Sequence, residues 1–419
     1  MPDLPIERAA PLTPESEKYN DYPLTETTAP PPVEQVSSRR ESWPTQAPQP
    51  TSTPSKHATH LYTISYLIFF AIFGTLARLG LQSLTFYPGA PVLTSVLWAN
   101  VAGSLVMGFL IEDRNIFREA WGSPRLPTDP SGNGHGDGDI EEWIKKHKAT
   151  KKTIPLYIGL TTGFCGCCTS FSSFIRDVFL ALANALPDPS TAGAAPVSRN
   201  GGYSFMALVA VILVTVSLSL SALTFGAHLA VALGHFTPTI PFKFARRVLD
   251  PCIVVLGWGC WLGAVFLAIW PPDRNDAGLE TWRGRAAFAI VFAPVGCLLR
   301  FYVSLYLNNR VAAFPLGTFA VNMFGTVIEG VCYDLQHVSG LGAVVPAAWT
   351  GCQVLQGVMD GFCGSTTTIS TWVAELNGLG KRRHAYFYGI TSVVVGLGLL
   401  IVIMGSLLWT RGFDHPVCG

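Results

Sequence analysis

The chain has 419 residues, of which 49% are hydrophobic and only 13% charged, against about 25% charged in a soluble domain; this excludes an ordinary soluble protein and points to a polytopic membrane protein. A net charge of +1 offers no bulk field for nucleic acid, so no nucleic-acid partner is expected and the basic residues act through their placement. The ten Cys fall mostly inside apolar stretches, where a free thiol is a small hydrophobe, and no disulfide framework is expected.

Residues 1–58, rich in Pro, Ser, Thr and Glu, carry too little apolar surface to fold and read as a disordered cytosolic tail. They lack the short apolar core and cleavage site of a signal peptide, so the first hydrophobic stretch is read as a true span. Nine stretches reach the roughly 17–25 apolar residues a crossing helix needs: 61–83, 92–112, 154–183, 204–233, 250–270, 286–307, 314–334, 343–375 and 385–410. The third and eighth are overlong and interrupted by Gly, in GFCGCCTSFSSF (163–174) and GFCGSTTTISTW (361–372). Lys and Arg cluster at 145–152, 243–247, Arg310 and 381–383, while Arg199, Arg274, Arg283 and Arg285 are scattered on the other side. This bias places the N-terminus in the cytosol and the C-terminus outside.

The halves repeat. Arg300 follows Arg78 by 222 positions and Asn322 follows Asn100 by the same 222, whereas Gly364 follows Gly166 by 198. The register shift of 24 falls where the first half alone carries SGNGHGDGD (131–139), a loop insertion. Each repeat has four spans, an even number, so the extra span at 250–270 inverts the second. The predicted architecture is therefore all-α: nine transmembrane helices as two inverted four-helix repeats joined by a linking helix, with broken third helices crossing at the centre. Its expected boundaries are 59–235 (with a cytosolic insertion at 113–153), a linking region 236–283, 284–412, and a short tail 413–419.

Broken backbone at membrane depth must be buried in protein or line a wet cavity. Crossing breaks can aim carbonyl oxygens at one point, a place for a small cation, and expose amides and hydroxyls to an anion. Arg78 and Arg300, near span ends, read as fixed charge at aqueous vestibules. Asn100 and Asn322, one per repeat at one register, read as pore-lining donors. Phe171 and Phe174 flank the first break, with Ile369 and Trp372 at the matching positions; the electropositive ring edge can replace water around a small desolvated anion. Thr215 and Ser219, and Tyr388 and Ser392, add hydroxyls at helical spacing, extending a polar track.

These residues resemble the Fluc/FEX family of fluoride channels and exporters, also called CrcB-like, in its eukaryotic two-domain form. The family's G-x-x-x-R is similar to Gly74–Arg78 and Gly296–Arg300, its N-x-x-G to Asn100–Gly103 and Asn322–Gly325, and its broken third span to Gly166–Phe174 and Gly364–Trp372. The resemblance spans about 61–410 and implies passive, fluoride-selective efflux across the plasma membrane, through a single chain in the lipid bilayer, with fluoride the only small partner. It implies a fluoride pathway over Asn100, Asn322, Phe171, Phe174, Ser172, Thr169, Ser370, Thr367, Trp372, Tyr388 and Ser392. It also implies a central structural Na+ on the backbone carbonyls of Gly166, Thr169, Gly364 and Thr367, with no other cofactor. Ile369 and Trp372 depart from the paired phenylalanines. One pathway then pairs Phe171 with Trp372 and the other Phe174 with Ile369, so one pore is expected to conduct and the other to be vestigial.

Competing readings are a secondary transporter, which would want mid-span carboxylates where only Asp360 and Glu329 stand out, and a thiol enzyme on Cys165, Cys167 and Cys168, for which His228 and His235 give little support. No catalytic residues and no enzyme activity are expected.

Overall fold

The computed structural model describes residues 55–94, 96–117, 147–271, 286–338 and 346–416. Nearly all of the expected N-terminal tail, most of the 113–153 insertion, Arg274, Arg283 and Arg285, and the last residues of the C-terminal tail lie outside the described residues. Helices dominate, with no strand among the described residues.

In chain order they are α1 (Lys56–Thr85), α2 (Val96–Glu112), α3 (Pro155–Leu182), α4 (Gly201–Ala232), α5 (Phe242–Ile269), α6 (Phe288–Leu307), α7 (Leu316–His337), α8 and α9 (Arg382–Thr410). The eighth runs in pieces, Pro346–Gly357, Val358–Cys363, Gly364–Thr366 and Ser370–Gly378. Among the described residues seven helices are long and apolar enough to cross a membrane, against the nine spans expected. The shortfall has a plain cause: α2 has 17 residues, and α8 is divided into pieces none of which reaches that length.

α1 lies along α5: the Arg246 guanidinium reaches Thr59 Oγ1 at 3.5 Å, and Trp258 Nε1 donates to Ser65 Oγ at 3.1 Å. α1 runs against α6, since His60 near the start of one meets Tyr302 near the end of the other at 3.2 Å. α4, α5 and α9 turn many large apolar side chains outward, among them Phe205, Leu262 and Val402. That is the surface lipid wants, because hydrocarbon is as apolar as the side chains themselves.

The two broken helices share a local design that the glycines only partly announced. Gly159–Cys165 and Val358–Cys363 are π-helical, one extra residue per turn, a form seen chiefly as short bulges at functional sites. Helical geometry persists through Gly166 and Gly364; the chain opens only at Thr169 (φ −100°, ψ 149°) and Ser170, and at Thr367 (φ −94°, ψ 156°). Beyond each break the second segment joins the other half: Phe171–Leu182 packs on α7 and α9, and Ser370–Gly378 on α2 and α4.

Cys352 is disulfide-bonded, which corrects the expectation of a chain without disulfides. Its place in the start of an apolar helix gave no sequence signal.

Candidate functional site

Where the breaks cross, each threonine caps the other half's helix. Thr367 Oγ1 accepts from the backbone N–H groups of Phe171 (3.2 Å) and Ser172 (3.1 Å). Thr169 Oγ1 accepts from Ile369 (3.2 Å) and Ser370 (3.1 Å). Each hydroxyl spends its proton on the carbonyl four residues back, Cys363 (2.9 Å) or Cys165 (3.1 Å). A new helix leaves its first N–H groups without partners, and here a side chain from across the molecule supplies the acceptor. Ser172 and Ser370 join the same network, bonding Thr367 and Thr169 at 3.1 Å each.

The asparagines hold the extended residues in place. Asn100 Oδ1 accepts from Ser170 N at 2.8 Å while its Nδ2 donates to Ser170 O at 3.4 Å; Asn322 does the same to Thr368 at 2.9 and 3.3 Å. Both are fully buried. Their geometry is that of a clamp on the break, satisfying backbone groups that neither helix segment can bond.

Arg78 and Arg300 are not at span ends but are 0% and 2% exposed, against the breaks. Arg300 donates to Ser365 O and Thr162 O at 2.8 Å each, and Arg78 donates to Asp360 O, the position matching Thr162. Each guanidinium thus bonds a carbonyl within or beside the opposite π-helical segment. A Cβ on Gly166 would fall on the Arg300 guanidinium and one on Gly364 on that of Arg78, which is why glycine stands at both positions. The vestibule placement drawn from sequence therefore gives way to a central one. The expected spans 61–83 and 286–307 nearly match α1 and α6; what hydropathy does not show is that this face of each helix packs against the opposite break.

Beyond this shared frame the halves differ. Phe171 meets Trp372 at a ring-centroid distance of 5.5 Å and 65°, edge toward face, and Trp372 continues to Tyr388 at 6.5 Å. Phe174 meets Phe171 of its own half edge-on at 5.9 Å, and the residue matching Phe171 across the halves, Ile369, is buried in the same apolar core but has no ring to offer. Tyr388 and Ser392 on α9 and Thr215 and Ser219 on α4 are all buried. Three residues that sequence reasoning passed over, Glu375, Thr318 and Asn308, join Tyr388 to close one end of the Trp372 side. Glu375 accepts from Tyr388 OH (2.7 Å), Thr318 Oγ1 (2.6 Å) and Asn308 Nδ2 (3.2 Å). The position matching Glu375 in the first half is Asp177, whose one ion pair among the described residues is with Arg176 at 3.6 Å. A second buried carboxylate, Glu329, pairs with Arg176 at 2.7 Å and accepts from Ser172 Oγ at 3.1 Å. Its register mate is Met107, which lines a cavity of about 80 Å³ together with Tyr157, Thr161, Arg300, Thr371 and Glu375. Mid-span carboxylates are thus more numerous than the two noted in the sequence. Asp177 and Glu375 stand in the later parts of the two overlong stretches, 154–183 and 343–375, and the sequence reading did not single them out.

The cysteines sit inside this packing. Cys167 accepts from Arg300 at 3.4 Å and Cys168 donates to the Ala99 carbonyl at 3.7 Å.

The profile described as "CrcB-like protein, Camphor Resistance (CrcB)" matches residues 65–227 and 287–406, leaving out the segment that contains α5. A Neurospora crassa protein named "Fluoride export protein 1" is 58% identical over 374 residues, 87% of this chain and 70% of that protein. A Candida albicans protein of the same name is 35% identical over 82% of this chain and 79% of its own length. A Symbiobacterium thermophilum protein named "Fluoride-specific ion channel FluC 1" is 33% identical over 94% of its length but only 29% of this chain, as a single-repeat relative would be. No solved structure matches. Two separate matched segments, one in each half, and long fungal relatives agree with the motifs and the crossing breaks: the chain belongs to the CrcB-like, or Fluc/FEX, family in its two-domain form.

Proposed function

We propose that this chain is a fluoride-selective export channel, carrying F⁻ passively out of the cell through one working pathway, and that the pathway runs past Phe171, Trp372, Tyr388 and Ser392. The observation that carries this is the Phe171–Trp372 ring pair, which has no counterpart at Phe174 and Ile369. The relatives' names supply the ion, and the geometry supplies a reason for selectivity. Ring edges and hydroxyls stabilise a small stripped anion, while buried packing leaves little room for a larger one.

The two repeats are proposed to be inverted in the plasma membrane, with the N-terminus cytosolic and the C-terminus outside. Support comes from α1 running against α6 and from the Lys and Arg bias. A bonded Cys352 at the start of α8 fits an oxidising exterior at that end.

Within this reading the asparagines and threonines do not carry the ion hand to hand. They keep two helix starts aimed at the crossing, with hydroxyls ordered around them. If Na+ binds at the centre, the carbonyls of Gly166, Thr169, Gly364 and Thr367 would hold it, and their oxygen chemistry suits a hard cation. The guanidiniums of Arg300 and Arg78 lie against Gly166 and Gly364, so positive charge is already present beside two of those carbonyls, and no step is routed through a cation.

The reading is tested with purified protein in liposomes loaded with KF or KCl and opened with valinomycin. Fluoride efflux at an electrode, with no chloride efflux, is the expected result; equal rates for both ions, or none for fluoride, would end it.

A further inference from the structure

We propose that the indole N–H of Trp372 is a direct ligand for fluoride, a hydrogen-bond donor built into the ring pair where the matching first-half position, Phe174, can offer only a ring edge. The inference rests on the fluoride reading above and deepens it.

Trp372 is 1% exposed, and its Nε1 has no hydrogen-bond acceptor in the protein. Buried indole N–H groups ordinarily find a partner, because an unpaired donor away from water is destabilising. Of the other buried donors without partners among the described residues, Arg78 Nε and Nη1 belong to the guanidinium against Gly364, and hydroxyls such as those of Ser104 and Ser219 can rotate toward a helix carbonyl. An indole N–H cannot, because the ring plane fixes its direction. The ring is held on one side by Phe171 and lies near Tyr388. On α9, Gly389, Ser392 and Gly396 fall on one face by their spacing. A Cβ on Gly389 would reach Trp372 at 3.8 Å and one on Gly396 would reach Phe171 at 3.4 Å. Ser392, between them, turns its proton back to the Tyr388 carbonyl at 2.7 Å. The neighbouring hydroxyls are therefore committed: Tyr388 OH to Glu375, Ser392 to its own helix. The N–H is the donor left for a ligand.

The ligand class follows from the chemistry. An N–H with no lone pair accepts nothing, so cations and proton donors gain nothing from it. The neighbouring ring presents its electropositive edge, which also favours an anion. The tightness of the surroundings, with Phe171, Trp372, Tyr388 and Ser392 all at or below 1% exposure, admits only a small one.

The test compares wild type with Trp372→Phe, which restores the residue type of Phe174, and with a protein carrying β-(3-benzothienyl)alanine at 372, an isostere that replaces N–H by sulfur. Each is reconstituted and fluoride efflux is measured against fluoride concentration. A charge-assisted hydrogen bond predicts a half-saturating fluoride concentration raised by about 10- to 100-fold in both variants. Their melting temperatures should equal or exceed that of wild type, since a buried unpaired donor has been removed. Half-saturation within about twofold of wild type in the isostere would overturn the proposal and mean that the N–H faces a water or nothing. Absence of fluoride flux in wild type would instead overturn the channel reading on which it rests.

Discussion

The crossing at the centre of this molecule has two matched flanks, and they are not equally furnished. The one beside α9, the proposed route, has a ring pair at 5.5 Å, a buried tyrosine and a carboxylate that orders three donors. The one beside α4 has Phe174 and Ile369 in the apolar core, threonine in place of tyrosine, and Asp177 with Arg176 as its one ion-pair partner among the described residues. The frame around both is closely similar: threonine caps and asparagine clamps recur atom for atom, and each arginine bonds a carbonyl of the opposite π-helical segment, Arg300 reaching Ser365 O as well. What differs is the lining. A duplicated fold keeps the scaffold of both halves because each half's helix starts are capped by the other, so neither scaffold can decay alone, whereas a lining side chain can change without cost to its mate.

That division of labour can be broken at the frame first, where the effect should be largest. Removing Arg300 in Arg300→Leu strands the carbonyls of Thr162 and Ser365, a loss of about 2–6 kcal/mol at roughly 1–3 kcal/mol per buried unsatisfied group. Arg78→Leu strands one carbonyl, that of Asp360, and removes two buried N–H donors that have no partner among the described residues, so melting in detergent should fall less for it than for Arg300→Leu. The asparagine clamps come next: Asn100→Ala and Asn322→Ala each free one N–H and one C=O, and each should destabilise by about 2–6 kcal/mol at the same cost per group, toward the low end because the bonds to the carbonyls are long, 3.4 and 3.3 Å. Because this frame is common to both proposed routes, the asparagines should not separate a working pore from a silent one.

The lining should separate them. Tyr388→Phe removes the hydroxyl that reaches Glu375 and should slow fluoride efflux by about tenfold, equivalent to roughly 1.4 kcal/mol at the barrier. Thr215→Val at the matching place should leave efflux within about twofold, under roughly 0.5 kcal/mol. The smallest effect belongs to a feature outside both routes, the segment before α3 that is longer in the first half. His147 is buried there, and desolvation, with Lys151 nearby, pushes its pKa down to about 4 from the usual 6.5. Between those values the unfolded chain binds a proton that the folded one refuses, so stability falls as pH drops from about 6.5 toward 4. Melting curves at pH 7 and pH 5 should differ by a few degrees in wild type and by less in His147→Gln.

Much of the frame was legible in the sequence because repetition made it so. Arg78 and Arg300, Asn100 and Asn322, and the two Gly-Phe-Cys-Gly segments announce themselves by constant offsets, and the ring pairing of Phe171 with Trp372 followed from crossing the two motifs. The depth of the arginines did not follow, because hydropathy marks where a span is apolar and not which face of it packs against the opposite break. Nor did the role of the asparagines, since an amide that grips backbone and one that faces an ion look the same in one dimension. Glu375, Asn308 and Thr318 escaped notice for another reason: they come from α8, the end of α6 and the start of α7, and nothing in their spacing brings them together. The reciprocal threonine caps are equally silent, joining residues about 200 positions apart.

The account turns on which route the ion takes, and paired substitutions across it read this most directly. Fluoride efflux from liposomes is compared for Phe171→Ala with Trp372→Ala, and for Phe174→Ala with Ile369→Ala, each protein first checked for intact elution in detergent. Efflux that collapses in the first pair and stays within about twofold of wild type in the second is the predicted result, a barrier change of roughly 0.5 kcal/mol or less in the silent route. Equal loss in both pairs, or loss confined to the second, would contradict the assignment.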